Sequence, residues 1–208
     1  YFYLKNDIYI DGDLDLSNSD CSISLNGHTL TVTGTLTMSS QTSGTISIGT
    51  KSGNSYINKG QLTVSNFVVD MPNATLNLAT PVNISGSTTI SSNTLNINGI
   101  SVALSAVYSV NTLNINGNIV VSDENTTITF DNCGTVNINS SIGASVVEFT
   151  HSNAVESNTT LITKSGIAIN NLVLDAYTDA RIYSTVESID GGNKVVMLPY
   201  HNCTTYSN

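Results

Sequence analysis

The chain has 208 residues, 6 Lys plus Arg against 15 Asp plus Glu for a formal charge of −9, and 10% charged residues, where an ordinary soluble domain carries about 25%. Ser, Thr and Asn make up about four-tenths of it, so its polar surface is built from hydroxyls and amides rather than ions. Arg181 is the only arginine, which leaves no basic stripe for nucleic acid; no apolar run reaches the roughly 18 residues of a membrane span.

The opening YFYLKNDIYI lacks both the basic flank and the long apolar stretch of a signal peptide. Scarce Lys and Arg point away from a cytoplasmic metabolic enzyme, which needs cations to hold phosphates and carboxylates, and toward a secreted or cell-surface protein. Hydrophobic residues make up 39%, too many for a disordered polar chain. With no Trp and four Phe, the expected core is aliphatic.

In chain order, residues 1–10 read as an N-terminal capping or docking strand. Residues 11–145 carry apolar pairs two apart, among them Leu14/Leu16, Ile23/Leu25, Leu30/Val32, Leu62/Val64, Leu76/Leu78, Leu95/Ile97, Leu113/Ile115 and Val136/Ile138. Each pair predicts a short strand with one buried face. NTLNING occurs at Asn93 and again at Asn111, 18 residues later. Looser copies start at Thr29, Thr45, Gln61, Thr75, Thr94, Thr112 and Thr135, in steps of 16, 16, 14, 19, 18 and 23 residues. Such spacing predicts an all-β, parallel β-solenoid of seven or more coils, in which each coil buries its apolar face on the next. An antiparallel sandwich is the competing architecture, but most successive strand pairs lack the Asn-Gly or Asp-Gly turn that hairpins favour. Residues 146–208 read as irregular last coils, a hairpin cap with Asp190-Gly191-Gly192-Asn193 at its turn, and a tail.

The stretch SISLNGHTLTVTGTLTM, with the later NTLNING copies, resembles the right-handed β-helical stretches of secreted bacterial surface proteins of the adhesin and autotransporter-passenger kind. The resemblance covers most of residues 10–145. It implies fold and export rather than an activity, because many functions share the motif.

Outward positions of the repeated strand form the first candidate site. Its expected rows are Thr29/Thr31/Thr33, Thr45/Ser47/Gly49, Gln61/Thr63/Ser65, Thr75/Asn77/Ala79, Thr94/Asn96/Asn98, Thr112/Asn114/Asn116 and Thr135/Asn137/Asn139, stacked on one uncharged face. Such a face serves as plain solvent surface, as a self-assembly surface, or as a recognition surface for a glycan or ice lattice. Asp11, Asp13 and Asp15 are a weak Ca²⁺ candidate, since alternating carboxylates share one side of a strand; Ser22 stands where an EF-hand-like loop needs Glu. No other metal or cofactor is expected.

Cys21, Cys133 and Cys203 are odd in number and allow one disulfide of unknown pairing. Sequons at Asn73, Asn83, Asn125, Asn139, Asn158 and Asn202 are as many as chance supplies. His28, His151 and His201 follow no metal spacing and are expected on the surface or in turns. Polysaccharide lyases and hydrolases of β-helical shape need a basic residue or paired carboxylates; scattered lysines and the pairs Asp123/Glu124 and Asp175/Asp179 argue only weakly for them. The expected protein is a non-enzymatic structural or adhesive unit whose partner is itself, with glycan or ice-lattice binding as the alternative.

Overall fold

A computed structural model describes residues 2–17, 20–153, 157–197 and 203–207. These form no helix, so none is long and apolar enough to cross a membrane. Parallel strands stack into a β-solenoid of about nine turns. Alternation drives it: in most short strands Val, Ile and Leu point inward while most Thr, Ser and Asn point out, and only stacking on the next turn covers the inward row.

Each turn has three faces. On the ladder face, Thr45–Gly49, Thr75–Ala79, Thr94–Ile97, Thr112–Ile115, Thr135–Ile138 and Thr160–Thr163 stack in register. A short face follows, with Leu30–Val32 over Leu62–Val64, then Val82–Ile84, Ile100–Val102 and Ile119–Val121. The third, aromatic face stacks Thr88–Ser92, Ser105–Tyr108, Thr127–Phe130 and Val146–Phe149. Inside, Leu95, Ile97, Leu113, Ile115, Val136 and Ile138 have no exposed surface. Tyr108, Phe130 and Phe149 stack up the same interior, with ring centroids 5.7 and 4.9 Å apart.

Sharp corners join the faces. Asn98-Gly99 and Asn116-Gly117, which resemble hairpin turns in sequence, instead turn the chain from the ladder face to the short face, between Asn96–Ile97 and Ile100, and between Asn114–Ile115 and Ile119. A Cβ on Gly117 would lie 2.2 Å from the Asn98 carbonyl carbon, so stacking of corner on corner requires glycine there.

The structure places the expected N-terminal segment and corrects one expectation about the C-terminal part. In the expected capping or docking segment, Phe2–Tyr3 and Ile8–Ile10 run parallel to Ile23–Ser24 and Leu30–Val32, as strands of the first described turn. Among the described residues the expected C-terminal hairpin is not formed. Thr178–Ile182, Thr185–Gly191 and Lys194–Met197 are solenoid strands, the first pairing in parallel with the third and the second with Cys203–Ser207. The reason lies in the turn, where the Gly192 amide donates to the Leu174 carbonyl and the Asn193 amide to the Thr178 carbonyl. It is thus held to the preceding turn rather than folded on itself. The antiparallel hairpin that does form among the described residues is elsewhere: Thr50–Ser52 pairs with Ser55–Ile57 and projects from the stack between the ladder and short faces of one turn.

Candidate functional site

The single grid expected from the repeats divides over two faces. Thr29 and Thr31 stack on Gln61 and Thr63 of the short face, whereas Thr45, Thr75, Thr94, Thr112 and Thr135 form one column of the ladder face. The misplacement has a simple cause. Thr-apolar-Thr alternation suits every face equally, so look-alike segments at Thr29 and Gln61 belong to a different side from those at Thr45 and Thr75.

The ladder face has a second column of Ser47, Asn77, Asn96, Asn114 and Asn137, and its side chains are bonded along the rod axis. Asn77 Nδ2 donates to Ser47 Oγ at 3.4 Å, Asn96 to Asn77 Oδ1 at 2.5 Å, Asn114 to Asn96 at 2.9 Å and Asn137 to Asn114 at 2.9 Å. Beside it, Asn139 donates to Asn116 Oδ1 at 3.0 Å. All these amides point the same way, and chains of such bonds polarise one another.

The Thr50–Ile57 hairpin walls this face on one side and leaves a groove of about 660 Å³. Ser47, Asn77, Asn96 and Asn116 lie along it, with Asn54, Tyr56 and Asn58 across from them. Apart from the Tyr56 phenol its lining carries no ionisable group. The sequence signal for the wall was the Lys51-Ser52-Gly53-Asn54 stretch, which lengthens one coil and was absorbed into an apparently regular step.

The aspartates near the N-terminus are occupied within the stack. Asp13 accepts from the Thr35 amide, Asp11 from the Thr33 hydroxyl, Asp7 from the Thr29 amide and Asp15 from the Ser17 amide. The Ser17 hydroxyl and amide hold the Asp15 carboxyl below its ordinary value, and hydroxyls of Ser40 and Thr42 do the same for Asp20. Asp11 and Asp13 therefore fasten the first two turns, whereas Asp15 bonds within its own strand; among the described residues the three form no metal-ligating group.

No disulfide forms: Cys21, Cys133 and Cys203 are free thiols on separate turns. Burial pushes the Cys133 thiol up to about 11. Asn73, Asn125 and Asn158 are exposed, Asn83 and Asn139 half-buried, and Asn202 lies outside the described residues, as does His201.

His28 lies 3.3 Å from Asp7. His151 departs from the expected surface position, since its side chain is 3% exposed. Its Nδ1 is 2.7 Å from Asp175 and its Nε2 2.9 Å from Thr159 Oγ1, which donates to the Cys133 carbonyl. The order of groups matches a base-activated nucleophile, yet Thr159 is fully buried and no substrate reaches its hydroxyl. The cluster locks three successive segments together. Asp123 accepts from the Asn125 amide and Asp179 from Asn193.

No family model, curated protein or solved structure matches the chain.

Proposed function

We propose that the protein is a secreted or cell-surface structural or adhesive β-solenoid unit that associates with itself, end on end, into an extracellular filament or layer. The observation that carries this reading is a stack of about nine parallel turns in a chain with only 10% charged residues. Phe2 and Ile8 occupy inward columns, above Ile23 and Leu30, yet remain 49% and 42% exposed. With Leu4, Ile10, Leu14 and Leu16 they line an apolar cavity of about 400 Å³.

The proposed occupant is the last described turn of a second copy. There Val195, Met197, Cys203 and Tyr206 continue the inward columns of Ala180, Ile182, Val186 and Ile189 on the same three faces. The first and last described turns thus have the same parallel three-strand template. Joining unlike ends of identical units is heterologous, and where the rotation does not close, a filament grows. Neutral outer columns favour this, because like charges stacked every ~4.8 Å would repel. The low content of Lys and Arg supports placement outside the cell.

Sedimentation velocity over a thousandfold concentration range, with electron microscopy of the concentrated sample, tests the proposal. Concentration-dependent head-to-tail growth is expected, and Ile8→Lys should abolish it while leaving the thermal melt of the monomer unchanged. A monomer at every concentration overturns the reading.

A further inference from the structure

We propose that the groove between the asparagine ladder and the Thr50–Ile57 hairpin binds a neutral polysaccharide chain. The argument starts from hydrogen-bond capacity. A side-chain amide has two N–H donors and two acceptor lone pairs. Within the ladder Asn77 and Asn96 each spend one N–H on the rung below and one lone pair on the rung above. Each therefore keeps one donor and one acceptor. A sugar hydroxyl both donates and accepts, so each rung is the complement of one hydroxyl.

The ladder also fixes the orientation of these groups before a ligand arrives. An amide held by two neighbours loses little further freedom when a hydroxyl binds it, which lowers the cost of association. Rungs recur every ~4.8 Å along the rod, so the row of vacant donors and acceptors suits a repeating polymer better than a single compact solute. Thr45 and Ser47 extend the polar lining at one end and Asn98 and Asn116 at the other.

The wall supplies the second half of the chemistry. Tyr56 is half-buried on the hairpin and lines the same groove. An aromatic ring offers an apolar face to sugar C–H groups with its hydroxyl at the wet edge. Because the hairpin stands over the ladder, the site is a trough that admits a chain and not an extended plane, which sets an ice lattice aside. Its lining has no Lys, Arg, Asp or Glu. A uronic-acid polymer would have to give up water around its carboxylates with no cation to receive them, so the matching ligand is uncharged.

Native affinity electrophoresis provides the test, in gels cast with xyloglucan, hydroxyethylcellulose, laminarin, galactomannan or amylopectin, against a blank gel and one cast with polygalacturonate. Retardation is expected in at least one neutral gel and not in polygalacturonate. Tyr56→Ala should weaken that retardation at least tenfold; it lies on the hairpin outside the stack, so circular dichroism melts should match the parent. Asn96→Ala should weaken it comparably, whereas Thr160→Ala, on the same face beyond the groove, should leave it unchanged. No retardation in any neutral gel, retardation in polygalacturonate alone, or equal retardation of the parent and Tyr56→Ala overturns the proposal.

Discussion

The middle and the late turns of the solenoid solve the same packing problem with different outer surfaces. In the middle, Asn77, Asn96, Asn114 and Asn137 stand one above another and bond side chain to side chain. In the late turns the same column continues as Ile162, Arg181 and Val196, in unbroken parallel register. Inside, both regions bury aliphatic rows: Leu113 and Ile115 in one, Leu161 and Ile182 in the other, with no exposed surface. The backbone ladder and the inward row therefore suffice to build a turn. The asparagine column is an addition to the fold, confined to the stretch that faces the hairpin and the turns next to it.

The sharpest way to break the comparison is through the core. Phe130→Ala removes the middle ring of the Tyr108–Phe130–Phe149 stack and should cost about 3–5 kcal/mol. Its late-turn counterpart in the same column, Leu174→Ala, should cost about 2–5 kcal/mol. Urea unfolding of both variants checks whether the two regions depend alike on their interiors; if either costs under about 1 kcal/mol, that region is not held by its core.

A smaller effect separates the two surfaces. Asn114→Ala breaks two rungs and should cost about 1–3 kcal/mol at roughly 0.5–1.5 kcal/mol of net stability per bond. Arg181→Ala, exposed in the same column, should stay within about 0.5 kcal/mol. Equal costs would mean that the ladder adds nothing beyond strand propensity.

The smallest effect is one of pH. Burial raises the Asp131 carboxyl, but the Ser152 hydroxyl and amide, the Thr150 hydroxyl and the Asn132 amide outweigh it and hold the folded value below the ordinary 3.8. A group whose folded value is depressed contributes stability above its unfolded value and loses it as pH falls through the folded one. Thermal melts should therefore fall below about pH 4, and Asp131→Asn should flatten that fall. An unchanged slope would show that these four bonds are not kept in solution.

Much of this was legible in the chain, for reasons that can be traced to particular residues. Leu95/Ile97 and Leu113/Ile115 announced strands because period-two alternation is local, and the NTLNING copies announced stacking because identical segments fall in register only when turns are of equal length. The groove was not legible. Thr29 and Thr45 look alike while belonging to different faces, and nothing in Lys51-Ser52-Gly53-Asn54 says which column its hairpin overhangs. His151 is expected on the surface or in a turn and does lie between strands; that its side chain is enclosed follows from Thr159 and Asp175, which only the stacked fold brings to it.

The sequence by itself determined the parallel β-solenoid, the aliphatic interior and the neutral outer surface, since all three follow from alternation, composition and repetition along the chain. Tertiary structure alone decided which outward residues share a face, that the Asp190–Asn193 turn continues the rod instead of reversing it, and that Tyr56 stands over the asparagine ladder. Those outcomes depend on how many residues each corner consumes and on hydrogen bonds between residues about 20 positions apart, and neither is encoded in any single short segment.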